Sequence, residues 1–322
     1  MKIFMLHKWR QLYVKLVLKE LLRHNNPKDI IFLTDNKDLS KEYFWFNITY
    51  ENISDYFNYA NDFEKIYVHK SIWKYEYELI CLQRRLIFLE YMERNNIDSC
   101  WQIDSDVLVF CNLVDYANKY LKNFNFCSVA ASGWTFYGDK TWLKIFKDFL
   151  FDAYKNKLDI LDWFYKTKER HPIHERNNWY IDHEKTRTVS DMTLFYLFLN
   201  ENLEEVKYKD IWMINENTVF DDNINRWVWF SHDEYLKSLK LINGKYYWSL
   251  EWKDNENILF NCLHFQWKSK DLLHFYEERN MWIKYKIAKC RLYVIWPIIF
   301  KITTSLWINK FLMWLYRKIM KL

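Results

Sequence analysis

Asp104-Ser105-Asp106 sets two carboxylates one residue apart, between the apolar runs Trp101-Gln102-Ile103 and Val107-Leu108-Val109-Phe110. The β-branched and aromatic content of these runs reads as a buried strand interrupted at its carboxyl end. Carboxylates in that position are costly to bury unless a cation meets them. In an α/β sheet the same edge is where ligands bind. The simplest cation is Mg²⁺ or Mn²⁺, which prefers carboxylate oxygens and shares them with the phosphates of a substrate. The bland alternative is a solvated acidic turn. A third carboxylate, Asp191, follows Ser190, an acceptable N-cap. The helix dipole and free amides there hold a carboxylate as the anion, so it can orient hydroxyls or serve as a general base. A plain capping aspartate is the competing reading.

The elements that must position these groups follow from apolar spacing. Met1 to His7 reads as a first strand, Gln11 to Arg23 as a helix broken by Asn25-Asn26-Pro27, and Ile30 to Leu33 as a second strand. Strand, helix and strand in that order predict a parallel βαβ unit. Phe63 to Val68 reads as a third strand. Tyr75 to Asn95 is the longest predicted helix, with Leu79, Leu82, Leu86, Leu89 and Met92 as its apolar stripe and Glu76, Glu78, Arg84 and Arg85 on other faces. Ser99 to Phe110 is the expected central strand. Beyond it the pattern predicts a strand over 126–131, helices over 141–154 and 190–199, and short strands over 211–220, 245–252 and 258–266. Lys166 to Arg187 is polar and aromatic and reads as a loop or lid.

Composition narrows the chemistry. The chain has 322 residues but only three glycines, Gly133, Gly138 and Gly244, which excludes a glycine-rich phosphate loop. A bound nucleotide would need metal and side chains to neutralise its phosphates. Six scattered cysteines form no C-x-x-C pair, which argues against zinc. The net charge of +5 hides an asymmetry: nine basic residues from Lys284 onward, with no acidic residue after Glu278, leave the body at −4. That distribution suggests an anionic membrane surface rather than nucleic acid.

Several segments, in order, resemble bacterial capsule and lipopolysaccharide glycosyltransferases of the GT-A fold with a DxD motif. Met5-Leu6-His7-Lys8-Trp9 looks like their first strand and turn, and Asn25-Asn26-Pro27 through Leu33-Thr34-Asp35-Asn36 like their second. Glu78 to Arg84 and Leu86 to Tyr91 are similar to the helix before the DxD strand. Ser190-Asp191-Met192 resembles a further element, and Leu263-His264-Phe265-Gln266 with Ser269-Lys270 the close of the domain. The resemblance spans residues 1 to 275. It departs at Trp267, where glycine is common, and at Arg85, where an aromatic often follows the arginine.

The resemblance implies an α/β fold, a GT-A-like (Rossmann-like) mixed sheet with flanking helices. It also implies a metal-dependent transferase moving a sugar from a nucleotide-sugar, with UDP the expected nucleotide, to a cell-surface polysaccharide or lipid-linked glycan. Asp106 would bind Mn²⁺ or Mg²⁺ directly. Asp104 would bind it through water or take ribose or sugar hydroxyls. His264 would be a third ligand, since imidazole suits Mn²⁺ better than Mg²⁺; a satisfied core histidine is the alternative. Lys270 would add charge at the diphosphate, Arg84 would reach the donor, and His7 and Asp35 would meet the nucleoside. Asp191 is the candidate catalytic carboxylate.

Two other readings compete. Ile103-Asp104-Ser105-Asp106-Val107 also matches the first motif of haloacid-dehalogenase-type phosphatases, with Asp104 as nucleophile and Asp221-Asp222 as a later acidic pair. That motif normally ends the first strand of its domain, whereas at least two strands precede it here. The other is a non-catalytic membrane-attached binding module. The expected organisation is a glycosyltransferase domain over 1–280 and a basic amphipathic tail over 281–322. In the tail Ile308, Leu312, Leu315 and Ile319 oppose Lys310, Arg317 and Lys321. Without a secretory signal in the sequence, the expected location is cytoplasmic, peripheral at the inner face of the membrane.

Overall fold

A computed structural model of the chain describes residues 1–8, 11, 13–129, 135–166, 189–202, 204–211, 213–215, 217–221, 223–224, 239–242, 245–249, 257–266, 269–270 and 273. Its strands are β1 (Lys2–Leu6), β2 (Ile30–Thr34), β3 (Thr49–Asn52), β4 (Ser99–Ile103), β5 (Val107–Val109), β6 (Phe126–Ser128), β7 (Thr135–Asp139), β8 (Tyr208–Asp210), β9 (Met213–Asn215), β10 (Thr218–Phe220), β11 (Lys240–Ile242), β12 (Lys245–Ser249) and β13 (Asn257–His264). The helices are α1 (Tyr13–His24), α2 (Lys37–Glu42), α3 (Asn58–Glu64), α4 (Tyr75–Arg94), α5 (Leu113–Tyr120), α6 (Lys140–Asn156), α7 (Leu158–Lys166) and α8 (Asp191–Asn202).

The architecture is mixed α/β, as expected. A seven-stranded sheet runs β3-β2-β1-β4-β7-β6-β8, and a six-stranded one runs β11-β12-β13-β10-β9 with β5 on β13. In the larger sheet β1 is parallel to β2 and β4, and β7 is antiparallel to β4. Strands buried on both faces read as near-continuous apolar runs, which is what Ile3-Phe4-Met5 and Ile30-Ile31-Phe32-Leu33 provide. Their alternation sends Ile3, Met5, Ile30 and Phe32 to one core with α1, α5 and the second sheet. Phe4, Ile31 and Leu33 join the other core, with α3, α4, α6 and α8.

The predicted βαβ unit forms, and Asn25 shows how its break is built. The Asn25 amide donates to Leu21 O (3.0 Å) and Cys111 O (3.1 Å), and its carbonyl accepts Leu113 N–H (2.9 Å). The end of α1 is thereby tied to the chain leaving β5.

Three expectations are corrected. Phe63 to Val68 is not a strand: Phe63 lies in α3 and Tyr67 packs against it four residues on, which is helical spacing. The third strand is instead Thr49–Asn52, half-buried throughout and without an apolar signature. Ser99 to Phe110 is not one strand but two, in different sheets. The chain turns at the acidic pair, where Val107 N–H donates to Asp104 O at 3.1 Å. Finally, α4 is buried nearly all round. Glu78, Gln83, Arg85 and Glu90 lie inside with the apolar stripe. Glu90, for one, caps α3 through Asn58 N–H (2.8 Å) and Tyr59 N–H (3.3 Å). The predicted lid over 166–187, apart from Lys166 at the end of α7, and the tail over 281–322 lie outside the described residues, as do Trp9, Asp222 and Trp267.

Candidate active site

The acidic turn joins the two sheets, and five elements converge on it. β4 brings Asp104 to the carboxyl end of the larger sheet. β5 then leaves in the second sheet, antiparallel to β13, with Val107 opposite His264. Phe265 N–H donates to Asp106 O at 2.9 Å and fixes the turn against the end of β13. One nitrogen or carboxylate oxygen from each of Asp104, Asp106 and His264 lies within 4.8 Å of the others. His264 Nε2 is 3.4 Å from Asp106 Oδ1, and Lys270 Nζ is 2.7 Å from Asp106 Oδ2.

On the other side of the turn, α4 supplies two arginines. Arg84 donates from Nη1 to Asp104 Oδ1 (2.5 Å) and from Nη2 to Asp191 Oδ2 (2.9 Å). Arg85 Nη1 donates to the same Asp191 oxygen at 3.0 Å and to Cys81 O. Its guanidinium also lies over the Phe195 ring, 4.7 Å from the centroid. Asp191 is the first residue of α8. The N-cap is as expected: Ser190 Oγ accepts Thr193 N–H at 3.4 Å. Asp191 is therefore more than a capping residue, since its side chain reaches both arginines.

These contacts set the charges. Burial raises the Asp106 carboxyl, but His264 and Lys270 outweigh it and hold the group well below the usual range. Burial likewise acts on Asp191 and is overcome by Arg85 and Arg84, so this carboxyl too is held low. Asp104 goes the other way. Its burial and the neighbouring Asp106 charge outweigh the pull of Arg84, and its carboxyl is raised. Arg85 is lowered to about 10 by burial and by Arg84 beside it. Two carboxylates pushed apart by their surroundings, with an imidazole against one of them, form a hard, mostly oxygen donor set of the kind Mn²⁺ and Mg²⁺ take.

The sequence-predicted residues therefore meet, with one exception. His7 stands at the end of β1 with Nδ1 hydrogen-bonded to Ser105 Oγ at 2.9 Å, which places it beneath the acidic turn. Asp35 does not join them. It is exposed at the end of β2, and its charged neighbour is Lys8. Arg84 is the reverse case: its side chain is only 13% exposed and is held between Asp104 and Asp191.

Sequence reasoning missed Arg85, Tyr13 and Glu78. Tyr13 lies against the same group: Lys270 Nζ is 5.5 Å from its ring centroid, and burial raises its hydroxyl. Glu78, buried two turns before Arg85 on α4, has its carboxyl raised to about 7 by burial and by the Asp191 charge. The doublet Arg84-Arg85 was the available signal. Adjacent arginines on one helix point about 100° apart, so both can be buried only where acidic groups meet them.

No protein-family model matches the chain, and no curated protein matches its sequence. Among solved structures it is similar to mouse xyloside xylosyltransferase 1 in its apo form, at 10% identity over 65% of this chain and 84% of that one, with a TM-score of 0.45. It is also similar to a glycosyltransferase involved in the glycosylation of the major capsid of PBCV-1 (9% identity, 68% and 86% covered, TM-score 0.34). A third is the glycosyltransferase GlyE of Streptococcus pneumoniae TIGR4 (12% identity, 65% and 45% covered, TM-score 0.32). Scores this low carry no weight for the chemistry, so the site stands on its own geometry.

Proposed function

We propose that the protein is a metal-dependent glycosyltransferase that uses a nucleotide-sugar, with UDP the first nucleotide to test, to extend a cell-surface polysaccharide or lipid-linked glycan. The observation that carries this reading is the two-sided site around one acidic turn. On one side Asp104, Asp106 and His264 gather with Lys270. On the other, Arg84 and Arg85 hold Asp191.

The first side suits a diphosphate. Asp104, Asp106 and His264 would hold Mn²⁺ or Mg²⁺, and Lys270 would place a further positive charge at the phosphates. When bound, the ion supplies Lewis-acid stabilisation to the departing diphosphate. The second side suits a sugar, because carboxylate and guanidinium together match its hydroxyls as acceptor and donors. Two arginines make Asp191 a weak base, so its part is to orient hydroxyls rather than to remove a proton. Asp104, engaged by Arg84, is poorly placed as the nucleophile of a phosphatase. We also propose that the basic tail holds the enzyme at the inner, anionic face of the membrane, where lipid-linked acceptors are found.

The test is a thermal melt with UDP, GDP and CDP, with Mn²⁺ and then with chelator. A ligand at a hundredfold its Kd adds about 2.7 kcal/mol of stability. The expected result is a Mn²⁺-dependent upward shift with one nucleotide, lost in Asp106→Ala while the unliganded melt stays cooperative. An Asp106→Ala variant that keeps the Mn²⁺-dependent shift would sink the proposal.

A further inference from the structure

Asp221 is a buried carboxylate behind the site, to which the mechanism above gives no task. It follows β10, the parallel neighbour of β13. The register shift between Val219 and Phe220 sets Phe220 opposite Cys262 and brings Asp221 level with the end of β13. The residue is only 1% exposed. Its Oδ2 accepts the backbone N–H of His264 at 3.1 Å. Three residues on, Ile224 N–H donates to His264 O at 2.9 Å, so both polar groups of the His264 backbone are taken by the segment after β10. Asp221 is anchored in turn: its N–H donates to Cys262 O at 3.4 Å, and Cys262 Sγ lies 3.7 Å from Asp221 O. On its other edge the end of β13 is fixed to the acidic turn by Phe265 N–H on Asp106 O.

The backbone of His264 thus sits in a clamp, and the jaw opposite the acidic turn is a buried carboxylate oxygen. Groups that orient a ligand are part of how a metal site is built. We propose that Asp221 is a positioning residue for a divalent cation at Asp104, Asp106 and His264. It stands outside the ligand group and acts by holding the His264 backbone so that the imidazole faces Asp106. The proposal rests on the cation reading of that cluster, not on the identity of the sugar transferred.

The experiment is a Mn²⁺ titration of the full-length chain, with and without UDP, following free Mn²⁺ by electron paramagnetic resonance. Asp221→Ala should weaken Mn²⁺ binding by roughly 10- to 100-fold in a protein that still melts cooperatively. Asp221→Asn, which keeps an oxygen for the same N–H, should stay within about threefold of wild type. In a His264→Ala background, adding Asp221→Ala should cost nothing further, because residues acting as one unit are not additive. Wild-type affinity in Asp221→Ala overturns the proposal, as do fully additive losses. If Asp221→Ala does not fold, a folded Asp221→Asn that loses more than about tenfold overturns it too. A wild-type chain with no Mn²⁺ affinity in either condition removes the cation site itself. Binding that is intact in wild type and unchanged in Asp221→Ala removes only the clamp.

Discussion

Arg84 holds two of the site's carboxylates at once, Asp104 at 2.5 Å and Asp191 at 2.9 Å, and Arg85 shares the second at 3.0 Å. Removing one partner of such a buried network leaves an uncompensated charge and costs about 3–5 kcal/mol. Alanine variants at either arginine would therefore mix folding with function. Glu78 offers a cleaner handle, because it lies beside the network without an ion pair of its own in it. Its carboxyl is raised from 4.5 to about 7. The sign follows from which state keeps the proton. As pH rises above the unfolded value, the unfolded chain ionises while the folded one stays neutral, so stability falls until the folded group ionises near 7. Glu78→Gln removes that penalty. It should leave stability near wild type at pH 4 and add roughly 1–3 kcal/mol at pH 8, read from urea unfolding at both values. An equal effect at both pH values would show that burial of the acid is not what matters. The acidic pair was legible in the sequence because its spacing at a strand end has few cheap explanations. Glu78 and Arg85 were not, because a helical stripe marks one buried face and says nothing of a helix buried on several.

At the scale of elements, the same limit of periodicity explains the two corrected strands. Phe63 and Tyr67 carry strand-like side chains at helix-like spacing, and only packing against α4 and α6 decides between them. β3 is polar and held by pairing with β2, which no local pattern records. The acidic turn was read correctly as an interruption, but its sequence could not say that the second half changes sheets. That depends on β13, more than 150 residues away. β7, Thr-Phe-Tyr-Gly-Asp, is hidden from the pattern by Gly138 and Asp139, which break its apolar run, yet it carries a specific constraint. Gly138 lies against Trp142, and a Cβ there would come within 2.9 Å of the indole Cε3. The indole cannot give way easily, since it is fully buried and stacked on Phe126 at 4.1 Å between centroids. Gly138→Ala should cost about 1–3 kcal/mol by overpacking. The readout is a lower urea midpoint at unchanged slope. A neutral substitution would mean that the β7–α6 junction is softer than its packing implies.

At the scale of the whole chain, charge is divided as sharply as chemistry. The body carries −4 and the last forty residues +9. No helix among the described residues is long and apolar enough to cross a membrane. The tail lies outside those residues, and its proposed attachment rests on its sequence. Lys310, Arg317, Lys318 and Lys321 fall among Ile308, Leu312, Leu315 and Ile319 at helical spacing. A basic residue near an anionic leaflet contributes about 1 kcal/mol. Neutralising these three lysines and one arginine to glutamine should then weaken binding to vesicles rich in phosphatidylserine by roughly a hundredfold or more. Binding to neutral phosphatidylcholine vesicles should change little. Added salt should erase most of the difference, because exposed charges are screened beyond about 8 Å at physiological ionic strength. The rest of the chain gives the control: the proposed Mn²⁺-dependent nucleotide shift should be the same in both proteins. Loss of binding to both kinds of vesicle would show that the substitutions disturb the apolar face of the tail rather than its attraction to anionic lipid. Full retention on anionic vesicles would move the attachment away from these four charges.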